Sequence, residues 1–467
     1  MSCHNCDKFG WHGSRTLTNP PKRLSRDGVL HDLDIAMAAA FKSNILPVLA
    51  LLVGTLFLYL GNGLHGLLLP VRGAAEGYPT TSLGLLGTSW ATGFVLGCLL
   101  APQLVRRVGH ARAFSGFISL IAIIALLTGI VVDSFWWIVL RAITGFCTAG
   151  TTMIIESWLN ERATNKSRGT IFSLYVTITL IGAVGGQLAV PFADVTTPIL
   201  FMICGIFYCV AMIPTTVSNA ATPQPLKSVK LDLPALYRNS PVSFFGILLI
   251  GTANGAFGTL GAVFGAEAGL SQSAIAVMMS ATIFAGALMQ MPAGRLSDRM
   301  DRRYVLSVLS ALAALAGLFV VILHPEDATI LIVMIAIYGA TANALYPIAV
   351  AHANDFANPE DFVKVSGGLL LLYGIGTVIG PTIGGPVMSA LGPHALFLVT
   401  GLAHVAIVLY AMVRSRIRKA RPVEEREVFT ATSGHLTTPE SLTLNPRAAP
   451  LPDPDMAAED LNPGAAI

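Results

Sequence analysis

Twelve separate stretches of this chain are each apolar enough, over about 20 residues, to cross a bilayer, and nothing else in it constrains the fold as tightly. They fall near 45–69, 81–104, 112–132, 135–158, 169–190, 196–217, 243–265, 272–293, 304–323, 329–351, 366–389 and 395–414. A helix rising about 1.5 Å per residue covers the roughly 30 Å hydrocarbon layer in that length. It also satisfies its own backbone groups where no water can. Composition agrees: 54% of residues are hydrophobic and 12% charged, against about a quarter charged in soluble domains. The net charge of +3 is too small and too scattered for a nucleic-acid surface.

The basic residues sort by side. Of 29 Lys and Arg, 27 fall in the first 42 residues, the 2–3, 4–5, central, 8–9 and 10–11 connections, and the stretch from Arg414 onward. The exceptions are Arg72, in the 1–2 connection, and Arg141, inside span 4. Since positive loops stay in the cytoplasm, both termini are expected there, in a multi-pass inner-membrane protein. Residues 1–42 read as a cytoplasmic tail without the apolar core of a signal peptide, and 416–467 as a disordered tail rich in Pro, Thr and Ala. Cys3, His4, Cys6 and His12 resemble a metal site only loosely, because C-x-x-C supplies two of zinc's usual four ligands. No metal or cofactor is expected. Cys98, Cys147, Cys204 and Cys209 sit in apolar stretches and form no disulfide framework.

The chain repeats itself. An offset of 192 lays Asn62-Gly63-x-x-Gly66 of span 1 on Asn254-Gly255-x-x-Gly258 of span 7, and Arg107 on Arg299. An offset of 198 lays Tyr175, Thr179, Gly182 and Gly186 on Tyr373, Thr377, Gly380 and Gly384, and one of 194 lays Asn160-Glu161 on Asn354-Asp355. The expected fold class is an all-α membrane protein, its twelve transmembrane helices arranged as two pseudo-symmetric six-helix bundles. Residues 43–217 and 243–415 form the bundles and 218–242 the central loop. Proteins built this way bind their solute at the interface between halves.

Over roughly residues 42–420 the chain resembles the major facilitator superfamily. Gly294-x-x-x-Asp298-Arg299-x-x-Arg302-Arg303 is similar to that family's loop signature, with Asp301 where a glycine is usual. The first-half copy has decayed: Pro102 and Arg106 replace its Gly and Asp, while Arg107, Gly109 and Arg112 persist. Arg141-x-x-x-Gly145 resembles the family's intramembrane arginine motif, and Gly376-x-x-x-Gly380-Pro381-x-x-Gly384-Gly385 a pattern usual in span 5 of antiporters. Glu156-Ser157 and Tyr346-Pro347 resemble the YcaD-like bacterial subgroup. The resemblance implies the two-bundle fold and transport by alternating access.

An arginine as deep as Arg141 must face a cavity or a partner; Thr144, Thr148, Thr151 and Thr152 continue its polar face. Asn62 and Asn254, related by the repeat, are expected to meet a small-molecule substrate, although an interhelical clasp also suits an Asn beside a Gly. His65, the one deep group that ordinarily titrates near neutrality, is a candidate proton site, with a structural role as the alternative. Tyr346 is a further candidate for the pocket, together with Tyr338, Asn343, Gln290 and Trp90, most of which packing alone would explain. Glu156, about 31 Å along its helix, should lie at the cytoplasmic face, either in a gate salt bridge with Arg106, Arg107 or Arg112 or as a coupling carboxylate. Asp298, Arg299 and Arg302 read as a cytoplasmic latch. The chain has no phosphate loop, H-E-x-x-H or nucleophile elbow, so neither direct ATP drive nor catalysis is expected. The expected function is secondary transport of a small organic solute, with proton-coupled efflux and facilitated diffusion both open. The alternative is a non-transporting membrane sensor or scaffold.

Overall fold

The computed structural model of the protein describes residues 26–164, 167–217, 232–358 and 361–422, together with 426, 429–431, 434 and 438–445. The Cys3/Cys6 cluster lies outside these residues. Residues 1–46 and 47–467 form separate compact units, and the transmembrane architecture belongs to the second. The described residues are helical, with no strand among them.

The first half comprises α1 (Arg26–Ala75), α2 (Thr80–Val108), α3 (His110–Ile130), α4 (Ser134–Arg162), α5 (Arg168–Leu188) and α6 (Ile199–Val217). A short helix, α7 (Leu233–Asn239), falls in the expected central loop. The second half follows with α8 (Pro241–Glu267), α9 (Gln272–Arg299), α10 (Arg302–Leu323), α11 (Ala328–Asn343), α12 (Leu345–Asn354), α13 (Phe362–Leu391) and α14 (Leu396–Ile417). Eleven helical segments are long and apolar enough to span, α1 contributing Val48–Ala75 and α11 with α12 counting as one; the apolar helix Ile199–Pro214 completes the twelve.

Local chemistry fixes the ends. Asp133, Ser271 and Asp327 each accept a backbone N–H in the first turn of the helix they precede, which satisfies one of the otherwise orphaned donors there. Gly109, at φ +88°, joins α2 to α3 through a single residue; a side chain would be strained in that conformation. Span 10 is broken at Ala344 because Pro347 has no N–H for the Asn343 carbonyl and its ring crowds that group.

The repeat reappears as matched helix crossings, with Gly186 answering to Gly380 rather than to Gly384 as the offset of 198 had it. A Cβ added at Gly186 of α5 would lie 2.2 Å from the Leu60 carbonyl oxygen of α1, and one added at Gly380 of α13 would lie 2.1 Å from that of Thr252 on α8. Only small residues let helix backbones approach so closely.

Two sequence expectations change here. The region expected as a disordered C-terminal tail supplies a short helix, α15 (Pro439–Leu444), whose neighbours are α4, α5 and α13. In addition, α4 runs on to Arg162, past its expected end at residue 158.

Candidate functional site

Between the halves lies a cavity of about 270 Å³. Asn62 of α1, Arg141 of α4 and Asn254 of α8 all line it, as do Gln187 and Asn343. Trp90, Phe257, Tyr59, Tyr338 and Tyr373 supply its aromatic wall. The lining thus combines amide donors and acceptors, one guanidinium and ring faces, and contains no carboxylate among the described residues. The Arg141 guanidinium sits 5.9 Å from the centre of the Trp90 ring, a cation–π arrangement that helps a desolvated charge. Its Nε has no hydrogen-bond partner among the described residues. Gly145 allows this placement: a Cβ there would lie 2.1 Å from the Trp90 carbonyl oxygen, so α2 and α4 are in near contact.

The two repeat-related asparagines each meet a tyrosine, but from non-equivalent helices and through opposite ends of the amide. Tyr208 of α6 donates to Asn62 Oδ1 at 3.1 Å, and Asn254 Nδ2 reaches Tyr373 Oη at 3.5 Å. The structure brings Asn62, Arg141 and Asn254 together but places three other candidates elsewhere. His65 is 1% exposed, meets Phe201 edge-on, and has neither ring nitrogen partnered among the described residues. Three residues along a helix turn it about 60° away from Asn62 and into the bundle of the first half. Thr148 is buried without a partner for its hydroxyl among the described residues; seven residues place it about 10 Å along the axis from Arg141. Tyr346 meets Tyr373 edge-to-face at 5.0 Å and faces a small pocket with Thr430, Ser441 and Leu442 rather than the central cavity.

Sequence reasoning missed Tyr59, Gln187, Tyr208 and Tyr373. Tyr373 alone carried a signal, as the repeat partner of Tyr175. No local pattern marked the others.

At the Arg-rich end, the second-half loop signature forms a network. Arg302, 1% exposed, bonds Asp355 through Nε at 2.8 Å and Nη2 at 3.3 Å, and reaches Asp298 at 3.0 Å and Ser297 at 2.9 Å through Nη1. Asp355 is the member the sequence did not assign. Asp301 caps α10 and pairs with Arg303 at 2.7 Å. Burial raises its carboxyl, but the Arg303 hydrogen bonds outweigh that and leave it below its ordinary value. Arg299 is exposed, and so is Arg107 of the decayed first-half copy.

Glu156 departs from the expected gate salt bridge. It is 0% exposed, accepts a hydrogen bond from Tyr175 at 2.8 Å and another from Thr438, and forms no ion pair among the described residues. Because α4 extends to Arg162, Glu156 stops about 9 Å short of the helix end and remains inside the bundle. Tyr175 also contacts Tyr59, which lines the cavity.

The two ends close differently. At the far end from the arginines, hydrogen bonds join the halves directly: Thr80 to Glu267 at 3.0 Å, Thr88 with Thr382 at 2.9 Å, Ser280 to Gln187 at 3.3 Å, and Gln272 to the Ala193 carbonyl at 2.7 Å. At the Arg-rich end, α15 bridges α4 and α13.

Residues 51–271 and 243–451 each match the Major Facilitator Superfamily. The MFS-type transporter YcaD of Escherichia fergusonii is 26% identical over 81% of this chain and 98% of its own length. The MFS-type transporter Ent638_1421 of Enterobacter sp. strain 638 is 28% identical over 80% of this chain and 96% of its own. Among solved structures, a bacterial homologue of the human lysosomal transporter Spinster, inward-facing and occupied, superimposes with a TM-score of 0.69 at 16% identity, covering 83% of this chain and 98% of that one. The nucleoside transporter NupG gives 0.67 at 15%, covering 79% and 98%. At such identities the likeness speaks for the fold alone. Matched along both halves, with the cavity between them, the chain belongs to the Major Facilitator Superfamily and is a secondary transporter.

Proposed function

We propose that the protein carries a small neutral or anionic organic solute across the bacterial inner membrane, its two halves rocking about the central cavity. The lining of that cavity carries the reading: Asn62, Gln187, Asn254 and Asn343 offer hydrogen bonds, Arg141 offers the one charge, and aromatic rings supply apolar area. A cationic solute would meet Arg141 with no carboxylate beside it to compensate. Pockets of this kind fix orientation with a few polar groups on an apolar wall. The volume of about 270 Å³ suits a metabolite-sized solute.

A thermal-shift screen of solubilised protein against size-matched anionic, neutral and cationic compounds tests the charge preference, since a ligand that binds the folded state raises its melting temperature. Stabilisation confined to cations would overturn it. Flux of the best ligand into proteoliposomes, lost in Asn254→Ala, then ties the cavity to transport.

The distribution of basic residues supports a cytoplasmic placement of the Arg-rich end and of residues 218–242. Alkaline phosphatase fused after Lys227 should therefore be inactive. Proton coupling finds its best support at Glu156, a buried carboxylate joined through Tyr175 to the cavity-lining Tyr59. An imposed pH gradient should accelerate flux in the native protein and not in Glu156→Gln. Equal flux with and without the gradient identifies a facilitator.

A further inference from the structure

The described residues between 429 and 445 sit in the Arg-rich mouth and touch both halves. On the second half, the Phe429 backbone N–H reaches both oxygens of Asp298 at 3.1 and 3.2 Å. Its ring lies on Gly294, where an added Cβ would come within 2.2 Å of it, and Gly434 rests on the Tyr373 ring. On the first half, Thr438 donates to Glu156, and Asn160 Nδ2 donates to the Glu440 carbonyl at 3.2 Å. Thr438 and Ser441 form a capping box that starts α15. Thr438, Ser441, Leu442 and Asn445 are all buried. A polar segment buried this thoroughly is not an incidental strand of chain, because each of its polar groups must find a partner to stay there.

We propose that the described residues between 429 and 445 act as an autoinhibitory plug: docked in the Arg-rich mouth they lock the far end shut, and they must leave before the transporter can cycle. When rigid halves rock so that the far end opens, the Arg-rich mouth must narrow, and α15 fills the space between α4 and α13 that would have to close. Docking therefore favours the state with the far end closed, by whatever free energy its contacts supply in that state alone. The plug engages the second-half latch directly, since Asp298 holds both Arg302 and Phe429. It also covers the buried Glu156, which accepts from Thr438. The chain before it is tethered alongside: Arg426 bonds the Met300 carbonyl at 2.5 Å, and the Arg418 guanidinium lies 4.0 Å from the Phe356 ring centre. A tethered plug re-docks at a high effective concentration, so modest contacts suffice. The inference does not depend on which solute is carried.

The test reads far-end opening without knowledge of the solute. Thr259→Cys, on the cavity wall beside Gly87, is placed in a chain whose native cysteines are replaced. A membrane-impermeant maleimide is then applied to the far-end side of oriented vesicles. Labelling should rise several-fold when the chain ends at Arg426. It should rise similarly in the full-length Phe429→Ala, Thr438→Ala double variant, which covers the case in which the shortened chain folds poorly. A synthetic peptide of residues 427–446, supplied at the Arg-rich side of the shortened chain, should bring labelling back down. Unchanged labelling in the variants, or raised labelling indifferent to the peptide, overturns the proposal.

Discussion

The far end of this transporter is sealed by helices in direct contact, its Arg-rich end by a segment placed between them. At the far end α2 lies so close to α13 that a Cβ on Gly84 would come within 2.6 Å of the Pro381 carbonyl oxygen. At the Arg-rich end the halves are linked through Phe429, Thr438 and Glu440. Direct packing of small residues is dense, and it is lost all at once when helices part. Polar contacts to a tethered segment can be exchanged one at a time. The first kind of closure suits a switch with two positions, and the second suits adjustment.

The largest effect should come from the network beside the Arg-rich mouth. Arg302→Ala leaves Asp355 buried without its main partner, and breaking one side of a buried pair costs about 3–5 kcal/mol. Arg107→Ala, at the exposed repeat partner of Arg299 in the decayed first-half copy, should stay within about 0.5 kcal/mol. Thermal unfolding of the two solubilised variants measures the difference, and equal losses would mean that the first-half copy retains a structural role.

Next comes the far-end seal. Gly84→Val forces side-chain atoms against the α13 backbone, and overpacking of this kind costs about 1–3 kcal/mol. That cost falls on the state with the far end closed, so far-end labelling of Thr259→Cys should rise from several-fold to about a hundredfold. No rise would show that α2 and α13 yield without parting.

A smaller change is expected at the latch. Asp298→Ala removes a partly exposed contact to Arg302 and the acceptor of the Phe429 N–H, together worth about 1 kcal/mol. Labelling of a cysteine placed in the Arg-rich mouth should rise, while ligand affinity per competent state stays similar. Abolished binding with unchanged labelling would assign Asp298 to the solute site or the fold.

The smallest effect is the pH dependence of the Asp301–Arg303 pair. The Asp301 carboxyl is held below its ordinary value, so its contribution is present above the unfolded pKa and is lost as pH falls through the lower folded one. Melting temperatures of the native protein and Asp301→Asn should therefore converge on acidification. A gap that is constant with pH would leave the carboxylate's charge irrelevant.

The contrast between the two ends also separates what the sequence could reveal from what it could not. Hydropathy locates the spans because a bilayer imposes one length on every crossing. Asn62 and Asn254 are legible because the repeat preserves their spacing, and Arg141 because a deep cation must face inward. His65 and Asn62 look like neighbours in the sequence, yet the turn of a helix directs one into the bundle and the other into the cavity. Residues 429–445 were illegible for a different reason. Phe429 and Thr438 are held by Asp298 and Glu156, each more than a hundred residues away in sequence, and short polar segments carry no period of their own.

Tyr373 belongs to both regions: its ring lines the central cavity, receives Gly434 on its face, and packs against Tyr346, while its hydroxyl meets Asn254. One rigid side chain thus forms the wall of two compartments. A solute that presses on Tyr373 from the cavity and docked residues that press on it from the mouth share a boundary, so their binding free energies are coupled through it. Such coupling is reciprocal. By whatever factor docking at the mouth alters the affinity for solute, solute must alter the affinity for docking by the same factor.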